Sequence, residues 1–170
     1  MNTCVRNIEL ENLACDIAIS SHRTQMRKTG DLYVTHPCSV AVIVENVKES
    51  KELSSLIIAS YLHDTVEDTN LKIETINNVF GSLVAELVIE LTSDKNEIKR
   101  IGKTNYLINK MLNMTSWALV IKLADRYHNT LDIQNMSLNF QRKYIKETRQ
   151  ILEQLQQKRK LSQTHLKLIR

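Results

Sequence analysis

Proline occurs once and glycine three times in this chain of 170 residues. A β-sandwich or α/β fold of that length needs more residues able to take turn conformations, so the scarcity favours helices joined by short polar loops. The apolar spacing agrees. Residues 8–21 set Leu10, Leu13, Ala14, Ile17, Ala18 and Ser21 on one stripe at helical period. Arg23 to Asp31 is polar and reads as a loop, and Pro37 suits the first turn of a helix continued by Val40, Ile43, Val44 and Val47. Further helices are expected over residues 51–64, 72–79, 103–113 and 116–129, from Leu138 onward, and over a short stretch at 160–169. Gly81 fits a helix C-cap, with Ser82 as N-cap of a helix carrying Leu83, Val84, Leu87, Val88 and Leu91. Thr92 to Gly102, polar and lysine-bearing, reads as a loop. No alternating strand pattern stands out. The expectation is an all-α fold, one domain over residues 1–170, long enough to bury a core without staples.

Charge and cysteine usage narrow the function classes. A net charge of +4 is spread along the chain and aromatic residues are 5%, so a basic element interleaved with aromatics for a nucleic-acid polymer is absent. A mildly basic surface is the plain reading; a cleft that draws in a small polyanion is the functional one. Cys4, Cys15 and Cys38 form no CxxC pair and are odd in number, which fits a reduced, cytoplasmic setting. The apolar run Trp117 to Ile121 is far too short to span a bilayer.

The chemistry sits in three segments: Tyr33-Val34-Thr35-His36-Pro37, His63-Asp64-Thr65-Val66-Glu67-Asp68-Thr69, and Lys122-Leu123-Ala124-Asp125-Arg126-Tyr127-His128-Asn129. His36, His63, Asp64 and Asp125 supply two imidazoles and two carboxylates, a set able to hold one divalent ion such as Mn²⁺, Fe²⁺, Zn²⁺ or Co²⁺. A His-Asp pair alone is more often structural. Its position at the end of an apolar helix raises its weight, as does Asp125 inside another, where an unpartnered carboxylate is expensive. Arg126 is the alternative partner for Asp125. Glu67 and Asp68 read either as a solvated helix end or as free carboxylates beside a metal that place water and move a proton.

These motifs, with His22-Arg23-Thr24-Gln25-Met26-Arg27-Lys28-Thr29-Gly30, Phe80-Gly81 and Leu91-Thr92, occur in the order and spacing of a known family. From Ala14 to Leu155 the chain resembles the HD-superfamily hydrolase domain of the RelA/SpoT alarmone enzymes, in particular the stand-alone small alarmone hydrolases. The resemblance implies an all-helical hydrolase domain binding one Mn²⁺ through His36, His63, Asp64 and Asp125, with Glu67 and Asp68 as the catalytic acidic pair. It implies hydrolysis of the 3′-pyrophosphate of guanosine tetra- or pentaphosphate. Arg27 would then pack on the purine, Lys28 and Thr29 lie by the phosphates, and Asn129 contact the nucleotide. An arginine plane on a base and a lysine on phosphate suit those tasks.

Lys95 and Lys99 are candidates to neutralise developing charge, and Arg142 and Tyr144 to close the pocket, though packing suits Tyr144 equally. One departure bears on specificity. Where the long enzymes carry Asn-Met-Arg-Thr-Leu, this chain reads Asn129-Thr130-Leu131-Asp132-Ile133, so Leu131 replaces an arginine and Asp132 matches the stand-alone enzymes. A phosphohydrolase acting on another nucleotide, such as NADPH, is therefore the second reading. A catalytically silent nucleotide sensor is the third, disfavoured because every acidic and imidazole position is present.

Overall fold

In a computed structural model that describes residues 6–170, the chain is a succession of helices. They are α1 (Ile8–Ser21), α2 (Thr35–Val47), α3 (Leu53–Leu62), α4 (Thr65–Asp68), α5 (Ile73–Phe80), α6 (Ser82–Leu91), α7 (Lys95–Ile101), α8 (Lys103–Asn113), α9 (Ser116–Leu131), α10 (Leu138–Lys158) and α11 (Gln163–Ile169), with a 3₁₀ turn at Asp132–Asn135. Among the described residues no strand forms beyond one isolated antiparallel bridge, Met26 to Leu32. The all-α expectation is met; Cys4 lies outside the described residues. No described helix is long and apolar enough to cross a membrane. The helices group into two units, the first ending at Thr92 and the second covering Ser93–Arg170.

In the first unit α3 is the central rod, packed by α1, α2 and α6. Leu56 to Ser60 and Leu62 are all buried, so this helix has no polar face. Helix α1 meets it through Ala14 and Ala18, both fully buried and one turn apart, while Leu13, placed on the stripe by periodicity, is 41% exposed. Small residues let two helix backbones approach, and with Glu11 the two alanines make up the buried side of α1. The start of α1 is tied down by buried Glu11, which accepts from Arg6 and from the Ser54 hydroxyl at 2.5 Å. Burial pushes the Glu11 carboxyl up, but the Arg6 and Ser54 hydrogen bonds outweigh it and hold it below the usual carboxylate range. Gly81, at φ 86°, both ends α5 and caps α6, so Ser82 is the first residue of α6 rather than its N-cap. The positive φ reverses the chain within one residue, leaving no place for a separate cap.

The second unit holds a helix that the spacing of apolar residues did not foretell. Lys95–Ile101, expected as loop, is helix α7. Its origin is local. The Asp94 carboxylate accepts from the N–H groups of Asn96 at 2.8 Å and Glu97 at 3.1 Å, Glu97 pairs with Arg100, and Gly102 at φ 83° stops the helix. No residue of α7 is buried, so no apolar period exists to be read. Asp94→Ala is expected to lower stability by about 1 kcal/mol, the usual worth of an N-cap side chain. Urea unfolding should show this as a lower midpoint at unchanged slope.

Helix α9 buries Ala118 to Ile121 and Leu123 to Arg126, as its apolar sequence foretold. Helix α10 packs on α8, and α11 on α9. Arg126 does not neutralise Asp125. It donates to Glu147 at 2.7 Å and to the Thr148 hydroxyl at 3.1 Å, with its guanidinium carbon 4.8 Å from the centre of the Tyr144 ring. Consecutive helical residues diverge by about 100°, so Arg126 turns towards α10 while Asp125 faces elsewhere.

Candidate metal centre and acid–base pair

In the first unit, α2 and α3 bring two imidazoles together. His36, the second residue of α2, and His63, just past the end of α3, are 2% and 1% exposed. Their rings stand 5.3 Å apart at 68°. His63 Nδ1 lies 2.7 Å from the Ser60 carbonyl oxygen. A carbonyl only accepts, so Nδ1 carries the proton and a neutral His63 turns the Nε2 lone pair outward. That lone pair faces Asp64 Oδ2 at 2.9 Å, and His36 Nε2 is 3.8 Å from the same oxygen.

Two lone pairs at that separation repel unless a proton or a metal ion lies between them. Neighbouring ligands on an ion with bonds of about 2.1 Å sit about 3 Å apart, so the His63–Asp64 spacing suits a shared divalent ion. The donor set of imidazole nitrogen and carboxylate oxygen suits transition metals. Tyr33 donates its hydroxyl to the same Asp64 oxygen at 2.6 Å.

The acidic pair follows directly. Asp64, Glu67 and Asp68 are spaced i, i+3 and i+4 through the single turn α4, which puts them on one side of it. Glu67 is half-buried and Asp68 exposed, so one carboxylate is sheltered and the other open to water. The turn is held by the Asp68 N–H donating to the Asp64 carbonyl at 2.9 Å. From the other side, the Gln25 side-chain amide donates to the Asp68 carbonyl at 2.8 Å.

Arg27, Lys28 and Thr29 lie in the short loop closed by the Met26–Leu32 bridge. The Arg27 N–H donates to the Asp31 carbonyl at 2.8 Å, and the Gly30 N–H to the Arg27 carbonyl at 3.0 Å. Gly30, at φ 96°, takes the conformation that closes this loop, one that other residues adopt only with strain. Arg27 and Thr29 are half-buried; Lys28 is exposed.

In the second unit Asp125 is 7% exposed on α9. Lys122 reaches its Oδ2 at 2.8 Å and Asn129 donates to its Oδ1 at 2.6 Å. Both come from its own helix, at i−3 and i+4, so Asn129 orients the carboxylate. Lys95 and Lys99 are exposed on α7, and Arg142 is exposed on α10. Tyr144 lies beneath Arg126, where burial pushes its phenol up to about 12. Packing is thus one role it fills.

The sequence had assigned no role to Tyr33, Gln25 or Lys122. A signal existed for one of them. Lys122 precedes Asp125 by three, the spacing that shares a helix face, whereas Tyr33 lies in the turn before α2.

Comparison with known proteins agrees with this picture. A family described as HD domain matches residues 14–160. The zebrafish guanosine-3′,5′-bis(diphosphate) 3′-pyrophosphohydrolase MESH1 is 33% identical over 135 residues, covering 78% of this chain and 73% of that protein. The probable GTP diphosphokinase RSH3 of rice is 34% identical over 144 residues, which is 79% of this chain. The chain spans only 20% of that longer relative, and 19% of a probable GTP pyrophosphokinase of Mycobacterium leprae. A solved structure described as a metazoan ortholog of SpoT that hydrolyzes ppGpp superposes with a TM-score of 0.77 at 26% identity, covering 94% of this chain and 91% of that one. With the family model matching residues 14–160, most of its length, the chain belongs to the HD domain family.

Proposed function

We propose that this chain is a Mn²⁺-dependent pyrophosphohydrolase acting on guanosine 3′,5′-bis(diphosphate) and its pentaphosphate analogue, releasing pyrophosphate and leaving GDP or GTP. The observation that carries the metal chemistry is the 2.9 Å approach of His63 Nε2 to Asp64 Oδ2 with the His63 proton committed to Ser60. The likeness to zebrafish MESH1 and to the ppGpp-hydrolysing structure supports the substrate. His36, His63, Asp64 and Asp125 are the proposed ligands, and residues 1–170 one hydrolase domain. A reduced cytoplasmic setting suits the free thiols of Cys15 and Cys38.

A divalent ion at this site supplies Lewis acidity towards a phosphoryl oxygen and makes a nearby water more acidic. Glu67, sheltered on α4, takes the proton from the attacking water, and Asp68, open to solvent, passes it on. Water attacks the phosphorus joined to the ribose 3′ oxygen, that P–O bond breaks, and the departing 3′ oxygen is protonated. Arg27 lies on the purine, Lys28 and Thr29 meet phosphate, and Asn129 both orients Asp125 and contacts the nucleotide. Lys95 and Lys99 are proposed to neutralise developing charge, and Arg142 and Tyr144 to close the pocket.

Arg27→Ala is expected to raise KM about tenfold with Mn²⁺ affinity unchanged, since a cation on an aromatic face is worth about 0.5–2 kcal/mol. Steady-state kinetics beside a metal titration checks it. Leu131, 52% exposed where the long enzymes carry arginine, favours a second reading with NADPH or another nucleotide as substrate. Incubation with guanosine tetraphosphate and Mn²⁺, followed by product identification, decides. GDP and pyrophosphate support the first reading; orthophosphate alone, or turnover confined to NADPH, supports the second.

A further inference from the structure

His22, Gln25 and Tyr33 join the two halves of the α4 site. The Gln25 side-chain N–H donates to the Asp68 carbonyl at 2.8 Å, and a carbonyl only accepts. The Gln25 amide is therefore oriented without ambiguity, with Oε1 facing His22 Nδ1 at 2.8 Å. His22 must donate there. The Gln25 backbone carbonyl accepts from the Tyr33 N–H at 2.9 Å, and the His22 ring lies against the Tyr33 ring at 4.8 Å. Tyr33 then donates to Asp64 Oδ2 at 2.6 Å and sets its ring edge against His36, 6.0 Å between centres.

The backbone of the acidic pair and the metal-facing carboxylate thus hang from one cluster. His22 is 1% exposed and its Nε2 is buried with no protein partner. An apolar ring would fill that space without the cost of burying a ring nitrogen, so packing alone does not account for a histidine here.

We propose that His22, Gln25 and Tyr33 form a positioning brace: Tyr33 aims Asp64 at the ion, and Gln25, oriented by His22, holds the α4 turn so that Glu67 and Asp68 stand in register with it. The brace rests on the metal-dependent reading above and concerns how the site is set, whichever nucleotide is hydrolysed. Its two arms separate in measurement. Outer partners of metal ligands are typically worth ten- to a hundredfold in affinity, so Tyr33→Phe should raise the Mn²⁺ Kd about tenfold or more in calorimetric titration. Gln25→Met should keep the Mn²⁺ Kd within about twofold while lowering kcat about tenfold at unchanged KM, because only the register of the acidic turn is lost.

Thermal melts of both variants accompany the titrations. Parent-like Kd for Tyr33→Phe, or parent-like kcat for Gln25→Met, overturns the brace even if the melting point falls, since a merely structural role would move stability alone. A parent protein that binds no Mn²⁺ in the same titration overturns the metal reading itself, and the brace with it.

Discussion

EDTA is expected to abolish turnover, added Mn²⁺ to restore it, and His63→Ala to leave a protein that neither binds Mn²⁺ detectably nor hydrolyses nucleotide. The expectation rests on how little the site can do by itself. His63 is held by Ser60 so that its one outward nitrogen faces Asp64, and His36 comes in from a separate helix. Removing His63 deletes a ligand that no neighbour can replace, because the helix end that carries it fixes the position. Calorimetric titration with Mn²⁺ and activity in chelated buffer check it together. Full activity of His63→Ala in metal-free buffer would make these histidines ordinary packing residues.

Glu67→Gln should bind metal and nucleotide as the parent does and lose about 10²–10⁴ in kcat, the usual worth of a positioned acid or base. The change is nearly isosteric, and α4 is held by backbone contacts and by Gln25, so the turn should survive. Asp68→Asn should cost less, because Asp68 is exposed and bulk water can stand in for a proton relay. Single-turnover kinetics with Mn²⁺ saturating separates the chemical step from binding. Normal turnover by Glu67→Gln would reduce the acidic pair to a solvated helix end and call for another base.

Much of this was legible because helices and their ends are written locally. The apolar stripes, Pro37 in the first turn of α2 and Gly81 after α5 each act within a few residues, and the structure places them where the spacing does. Helix α7 escaped because its signal is a cap and one ion pair rather than a stripe. Leu13 and Ser82 were misplaced by one position's worth of context, a close helix approach and a glycine reversal.

The sequence by itself determined the fold class, the helices that carry an apolar stripe and the inventory of imidazoles and carboxylates, because periodicity and motif order need no knowledge of distant partners. Tertiary structure decided which partner each functional group keeps. The orientation of Asp64 depends on Tyr33, thirty-one positions earlier, and the footing of Asp68 on Gln25, forty-three positions earlier. Arg126, beside Asp125 in the chain, belongs instead to Glu147 on α10. Hydrogen bonds and ion pairs reach about 3 Å and have direction, so they are settled only when packing has brought the segments to that range.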